Sequence, residues 1–261
     1  MILAVDVGNS NIVLGCMDGL TVRRTIRLKT DRAMDAAGYT SVIDSALTQS
    51  GYPVEGFEGT ILSSVVAAVT EPLRQALSAL IPGPVPVVGE TVKTTIPLCI
   101  DQPEAIGADL IAAAEGALAQ YAPPLVLIDM GTATTFSVLD KSGAFLGGAI
   151  APGVQLGAEA LMQRTGLPMA ELSAPPSPLS HSTMDCLRSG VIYGAAAMVD
   201  GMLERLETAL GMPVTAIATG GLAKCVIPHC RRPVTLDDGL LLRGLAVLYR
   251  KEKTASICPS L

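Results

Sequence analysis

The sequence predicts an α/β protein made of two copies of one strand-and-helix plan, each copy with its own mixed sheet. Three observations carry that expectation. The stretch at 2–19, ILAVDVGNSNIVLGCMDG, returns at 125–143 as LVLIDMGTATTFSVLDKSG. Aligned without gaps, Asp6 falls on Asp129 and Gly8 on Gly131, while Asn9, Ser10 and Asn11 fall on Thr132, Ala133 and Thr134. Around both copies, short apolar runs are interleaved with segments whose apolar residues recur at helical spacing.

Each copy reads as four apolar residues, an acid, an apolar residue, Gly, small polar residues and a second apolar run. That order implies a buried strand, a tight polar turn and a return strand. A further β run follows each, Val22 to Leu28 and Phe145 to Ile150. Two short apolar strands open into small residues, Thr60 to Val66 (TILSSVV) and Thr215 to Gly221 (TAIATGG). Helical periodicity covers Asp35 to Gln49, Glu71 to Leu80, Asp109 to Gln120, Asp185 to Leu210 and Gly239 to Lys251. Two prolines at Ala122-Pro123-Pro124 stop a helix and set the boundary, giving halves 1–121 and 122–261. Ser173 to Ser182 (SAPPSPLSHS) lacks periodicity and reads as an exposed excursion inside the second half.

Composition bounds the function classes. Of 261 residues, 49% are apolar and 16% charged, which supports a large core and argues against disorder. Aromatics are 3% and Trp is absent, so that core is aliphatic. The formal net charge is −6 and no Lys/Arg cluster of nucleic-acid type stands out, so nucleic acid is not an expected partner. No segment reaches the roughly 18 unbroken apolar residues of a membrane helix. Met1 to Val7 reads directly as a strand without a basic leader, and cysteines 16, 99, 186, 225, 230 and 258 are scattered. Both features imply a cytoplasmic protein with reduced thiols. Cys225, His229 and Cys230 could supply at most three metal ligands at an unusual spacing, so ordinary packing is the stronger reading.

An acid at the end of a buried strand, followed by a Gly-containing polar turn, has a chemical use. The turn can hold phosphate oxygens because Gly permits close approach, and the Asp can hold a hydrated magnesium ion. A single D-x-G turn is more often a plain hairpin. Two register-matched copies, facing each other across a cleft, would grip a triphosphate, and phosphoryl transfer needs mainly positioning and charge neutralisation. Asp109 opens a helical pattern. Its bland reading is a capping or dipole-pairing carboxylate, and a helix N-terminus would keep it ionised and weakly basic.

The two halves resemble the superfamily of acetate kinase, sugar kinases, the heat-shock chaperone and actin, and the similarity runs over nearly the whole chain. Within it the chain resembles type III pantothenate kinases. The motifs are DVGNSNIV (6–13), VVGETVKTTIP (87–97), IGADL (106–110), IDMGTATTF (128–136), GGAIAPGV (147–154), STMDCLRSGVIYG (182–194) and ATGGLA (218–223). The resemblance implies two duplicated ribonuclease-H-like (actin-like ATPase) domains with five-stranded mixed sheets and an interdomain cleft. It implies transfer of phosphate from ATP to pantothenate, giving 4'-phosphopantothenate for coenzyme A synthesis, by a homodimer that uses magnesium and a monovalent cation, potassium or ammonium. By resemblance, Asp6, Val7, Gly8, Asn9, Ser10, Asn11, Ile12 and Val13 form the first nucleotide loop, with Asp6 on magnesium. Thr132 contacts ATP, Gly220 and Gly221 form the adenosine turn, and Asp129 binds the monovalent cation. Gly107, Ala108, Asp109 and Leu110 line the pantothenate site, Thr183 contacts that substrate, and Asp109 matches the general base.

The chain departs from the commonest family pattern at Ser10 (usually Thr), Leu110 (usually Arg) and Ile100 (a Tyr is common there). The last two remove polar groups from the expected pantothenate pocket. His181, Arg164, Arg188 and Lys93 are candidate cleft residues, with Lys93 inside a matched motif. Two rival readings are a nucleotide-binding regulator without kinase activity and a kinase for another small hydroxy acid. The full set of Asp6, Asp109 and Asp129 argues against the first.

Overall fold

The computed structural model describes residues 1–167 and 171–257. Cys258 lies outside the described residues. Nine strands and seven helices occur among those described. The strands are β1 (Ile2–Val7), β2 (Asn11–Asp18), β3 (Thr21–Lys29), β4 (Thr60–Ser64), β5 (Leu125–Met130), β6 (Ala133–Leu139), β7 (Phe145–Pro152), β8 (Thr215–Thr219) and β9 (Thr235–Leu236). The helices are α1 (Ala36–Gln49), α2 (Ala67–Leu80), α3 (Ala108–Leu118), α4 (Val154–Thr165), α5 (Thr183–Leu210), α6 (Ala223–Val226) and α7 (Leu240–Ile257).

Two mixed sheets form, ordered β3-β2-β1-β4 and β7-β6-β5-β8-β9. In both, an antiparallel meander (β1-β2-β3, β5-β6-β7) is extended by a strand parallel to its first member. The first sheet has four strands where five were expected. At the place β9 takes in the second sheet, residues 86–88 run beside β4 and make one parallel bridge, Leu62 to Val87. Leu62 N–H donates to Pro86 O and Val88 N–H to Leu62 O, each at 2.9 Å. Pro86 has no N–H to continue the ladder, and Pro84 stands two residues earlier, so the fifth strand stops at a bridge.

The compact units are residues Met1–Ile96 and Asp101–Gln120 with Gly239 and α7, and residues Pro97–Ile100 and Tyr121–Asp238. The expected division at 121/122 therefore differs at the C-terminus: α7 packs in the first unit. The reason is a close contact between helices. A Cβ on Gly116 of α3 would strike Leu240 O, and one on Gly244 of α7 would strike Ala112 O, so the two backbones approach as only Gly permits. Glu115, 3% exposed, accepts from Lys251 Nζ of α7 at 2.7 Å and from Thr94 Oγ1 at 2.9 Å.

Strand alternation then sorts the first core into two faces. Leu3, Val5 and Val7 pack with Tyr39, Ile43 and Leu47 of α1 and Leu73 and Leu77 of α2. Ile2 and Ala4 pack with Ala108, Ile111 and Ala112 of α3 and Leu242 and Leu245 of α7. In the second unit, Val126, Ile128 and Met130 pack with Val154 of α4 and with Ile192, Ala196 and Val199 of α5.

Helix starts shift in both directions from what periodicity suggested: α2, α3 and α5 begin one to four residues earlier, and α1 and α7 one residue later. Asp35 lies outside α1 and accepts from Gly38 N–H at 2.8 Å. Ser182 accepts from Asp185 N–H at 3.1 Å, so α5 starts at Thr183. Helix α4 was not anticipated, although Val154, Ala158 and Met162 recur every four residues and Gly166 ends it in the left-handed region. The excursion at 173–182 has no regular structure and is tied to α5. Ser189 Oγ donates to Pro178 O at 2.6 Å and Tyr193 Oη to Pro175 O at 2.9 Å.

Candidate active site

In the first unit, β1 and β4 are parallel, so their C-terminal ends meet at one edge of the sheet. Asp6 pairs across to Ser63, and the Ser63 hydroxyl donates to Asp6 Oδ1 at 2.9 Å. By alternation, Asp6 follows Ile2 and Ala4 onto the face covered by α3 and α7. The turn Gly8-Asn9-Ser10 links Val7 to Asn11, and Gly8 N–H closes it on Asn11 O at 2.9 Å. Ile12 is buried in the core and Val13 half-buried, so the exposed part of the expected loop is Asn9, Ser10 and Asn11.

Helix α3 starts at that same end. A Cβ on Gly107, its N-cap, would lie 3.7 Å from the side chain of Val65, just past β4. Asp6 and Asp109 thus share one end and one face of the first sheet. Asp109 is in the first turn of α3 and accepts from Leu110 N–H at 2.8 Å. Burial pushes its carboxyl above the usual range, and the backbone N–H groups of the helix start offset only part of that. The helix terminus alone would make this a weak base, and desolvation outweighs it, so the carboxyl is more basic than the helix start implied. Ala108 is buried, and Leu110 is half-buried. Lys93 is exposed and donates to Gly89 O.

In the second unit, β5 and β8 are likewise parallel, and Asp129 pairs across to Thr219. Gly131 N–H donates to Ala133 O at 3.0 Å, and Gly153 N–H to Thr132 O at 3.1 Å. Thr132 is exposed. Gly220 takes φ +97°, and a Cβ there would lie 2.5 Å from Asp129 Oδ1 and 2.6 Å from Met130 N. The turn Gly220-Gly221 and the turn after β5 therefore share one end of the second sheet. Thr183, the first residue of α5, is exposed. Ile100 lies in the same unit, its side chain 3.5 Å from a Cβ placed on Gly147.

The remaining candidates separate. Arg188 is engaged with Asp185 at 3.3 Å and with Ser173 O at 3.0 Å, so it braces the excursion. Arg164 and His181 are exposed. Among the described residues no group of three or more His, Cys, Asp or Glu could hold a metal ion. Burial raises the Cys230 thiol to about 11, and His229 stacks edge-on against Tyr193 at 5.0 Å, which is packing. Ser63 and Thr30 escaped the sequence reading. Ser63 is visible only once parallel pairing puts it beside Asp6. Thr30 follows β3 and holds the turn, its N–H donating to Ser10 O at 3.1 Å and its hydroxyl to Gly8 O at 2.7 Å.

Comparison with known proteins agrees over the whole length. The family model for type III pantothenate kinase matches residues 2–205. The type III pantothenate kinase of Exiguobacterium sp. is 39% identical over 254 residues, which is 97% of this chain and 100% of that protein. That of Pelobacter propionicus is 37% identical over 257 residues, again 97% and 100%. Among solved structures, the activator of the 2-hydroxyisocaproyl-CoA dehydratase from Clostridium difficile superposes with TM-score 0.58 at 12% identity, covering 98% of this chain and 97% of that one. The ROK hexokinase from Thermus thermophilus gives 0.53 at 14% identity, covering 97% and 99%. These two show the actin-like ATPase fold alone. With a family model over most of its residues and relatives aligned end to end, the chain belongs to the type III pantothenate kinase family.

Proposed function

We propose that the protein transfers the γ-phosphoryl group of ATP to the primary hydroxyl of pantothenate, giving 4'-phosphopantothenate. The observation that carries this reading beyond family membership is the placement of Asp6 and Asp109 at one end and on one face of the first sheet. A carboxylate for the ion and a carboxylate for the hydroxyl belong together in such a reaction.

Asp109 orients the hydroxyl and takes its proton. The hydroxyl oxygen forms its bond to the γ-phosphorus as the bond to the β-phosphate oxygen breaks, and that electron pair leaves with ADP. A buried carboxyl is the more basic for it. In the first unit, Gly107, Ala108 and Leu110 contact pantothenate; in the second, Thr183 is a contact for the same substrate. The turn from Asp6 to Val13 and Thr132 hold phosphate oxygens, and Gly220-Gly221 admits the adenosine. The half-buried Asp6 suits magnesium, a hard ion held by one or two carboxylates together with substrate phosphates. When bound, the ion supplies charge neutralisation on the phosphates. Asp129, also half-buried, suits the monovalent cation.

The protein acts as a homodimer formed largely by the second half. Supporting this, β7 is a sheet edge with Ile150 79% exposed, Leu156 and Leu161 of α4 are exposed, and Gly190 and Gly194 of α5 face open space. A cytoplasmic location is supported by free thiols at Cys16, Cys99, Cys186, Cys225 and Cys230. No helix among the described residues is long and apolar enough to cross a membrane. An ATP-consumption assay with pantothenate tests the activity. Turnover with pantothenate and none with other small hydroxy acids is expected, and ADP release that ignores pantothenate would sink the reading.

A further inference from the structure

We propose that Arg32 is a substrate-contacting residue that supplies positive charge to the phosphate tail of the nucleotide at the turn after β1. The inference rests on the kinase reading above. That turn is electrically ill-suited to a triphosphate by itself. Asp6 is an acid, Gly8, Asn9, Ser10 and Asn11 carry no charge, and no Lys, Arg or His lies between Met1 and Asp18 in the chain. A transferring phosphoryl group needs fixed positive charge beyond its metal ion.

The chain returns to this turn from the end of β3. Antiparallel pairing sets Lys29 opposite Asn11. Thr30 then fastens to Gly8 and Ser10 by the two bonds given above. Asp31 is held from the other side, its carbonyl accepting from the buried Tyr39 hydroxyl at 2.6 Å. Arg32 follows directly, and its Nη2 donates to Asn9 Oδ1 at 2.9 Å. The guanidinium is thereby placed at the tip of the turn on a backbone fixed from both sides. It is exposed, and a guanidinium carries five N–H donors in a fork that matches phosphate oxygens.

The alternative is that Arg32 only braces Asn9. A Gln at position 32 can still donate to Asn9 without charge, whereas a Lys keeps the charge without the fork. Wild type, Arg32→Gln, Arg32→Lys and, as a control, Arg23→Ala are titrated with adenosine, ADP and a non-hydrolysable ATP analogue. Arg23 pairs with Asp18 at the far end of the β2–β3 hairpin. For Arg32→Gln, ADP and the analogue should weaken about 10–100-fold, the scale of a hydrogen bond to a charged group. Adenosine should be unaffected, Arg32→Lys should recover most of the loss, and Arg23→Ala should match wild type. The proposal is overturned if Arg32→Gln binds ADP and the analogue as wild type does, or if adenosine weakens as much as they do. Because these are binding measurements, they decide on Arg32 even if turnover with pantothenate is absent.

Discussion

The two halves solve one problem in different materials. Both end a parallel strand pair with an acid beside a polar turn, Asp6 against Ser63 and Asp129 against Thr219. In the first, a side chain supports the acid: the Ser63 hydroxyl donates to Asp6. In the second, main chain comes close to the acid: Gly220, at φ +97°, lies so near Asp129 and Met130 that no Cβ fits. A hydroxyl fixes a carboxylate's direction, while a glycine lets main chain approach it. The first half is thus built to aim an acid, and the second to bring main chain up against one.

The largest expected effect tests whether proton transfer belongs to the first half. Asp109→Asn should lower turnover about 10²–10⁴-fold while ADP binding and the melting temperature stay near wild type. A variant within a few-fold of wild type would make Asp109 only a helix-start carboxylate. Next, Gly220→Ala should cost roughly 1–3 kcal/mol in a urea melt, since it combines a left-handed φ with a backbone clash. Ser63→Ala should cost about 1 kcal/mol or less. Equal losses would erase the contrast between a hydroxyl contact and a close backbone approach. Third, replacing potassium or ammonium by sodium should lower activity, and Asp129→Asn should abolish that preference while leaving dependence on magnesium. A sodium response unchanged in Asp129→Asn would move the monovalent site elsewhere.

The smallest effect concerns pH. The Asp109 carboxyl is raised in the folded protein, so its favourable contribution is complete below the unfolded value of about 3.9 and fades as pH rises through the folded one. Asp109→Asn should therefore match wild type in stability at about pH 3.5 and exceed it slightly near neutrality. The acid limb of the wild-type rate profile should lie above the ordinary carboxylate range, because the base must be ionised to act. A limb within that range would mean that burial does not govern this group.

What the sequence revealed follows from the range of the forces involved. The two acid-bearing hairpins were legible because strand alternation and turn chemistry are local, and both copies formed where their patterns placed them. The fifth strand of the first sheet was not legible, since one proline at 86 decides whether a ladder continues. Asp109 was found, but its raised pKa was not. Periodicity locates a helix start, and desolvation depends on what packs over it. Ser63, Thr30 and Arg32 were invisible for the same reason, because their contacts cross 57, 20 to 22 and 23 positions of chain respectively. Helix α4 was a missed local signal, hidden inside a motif read for chemistry.

The docking of α7 on α3 has a consequence for how the protein is made. Leu242, Leu245, Ala246 and Leu248 complete the layer under Ile2, Ala4 and Ala108, and a ribosome delivers them more than 100 residues after the rest of that layer. Until they emerge, one face of the first sheet lacks its cover, and the helix that carries Asp109 lacks its neighbour. The second unit, complete by Asp238, can close while the older half of the chain still waits. The order of synthesis and the order of completion are therefore reversed, and a nascent chain stalled near residue 238 would have a finished second unit and an unfinished first.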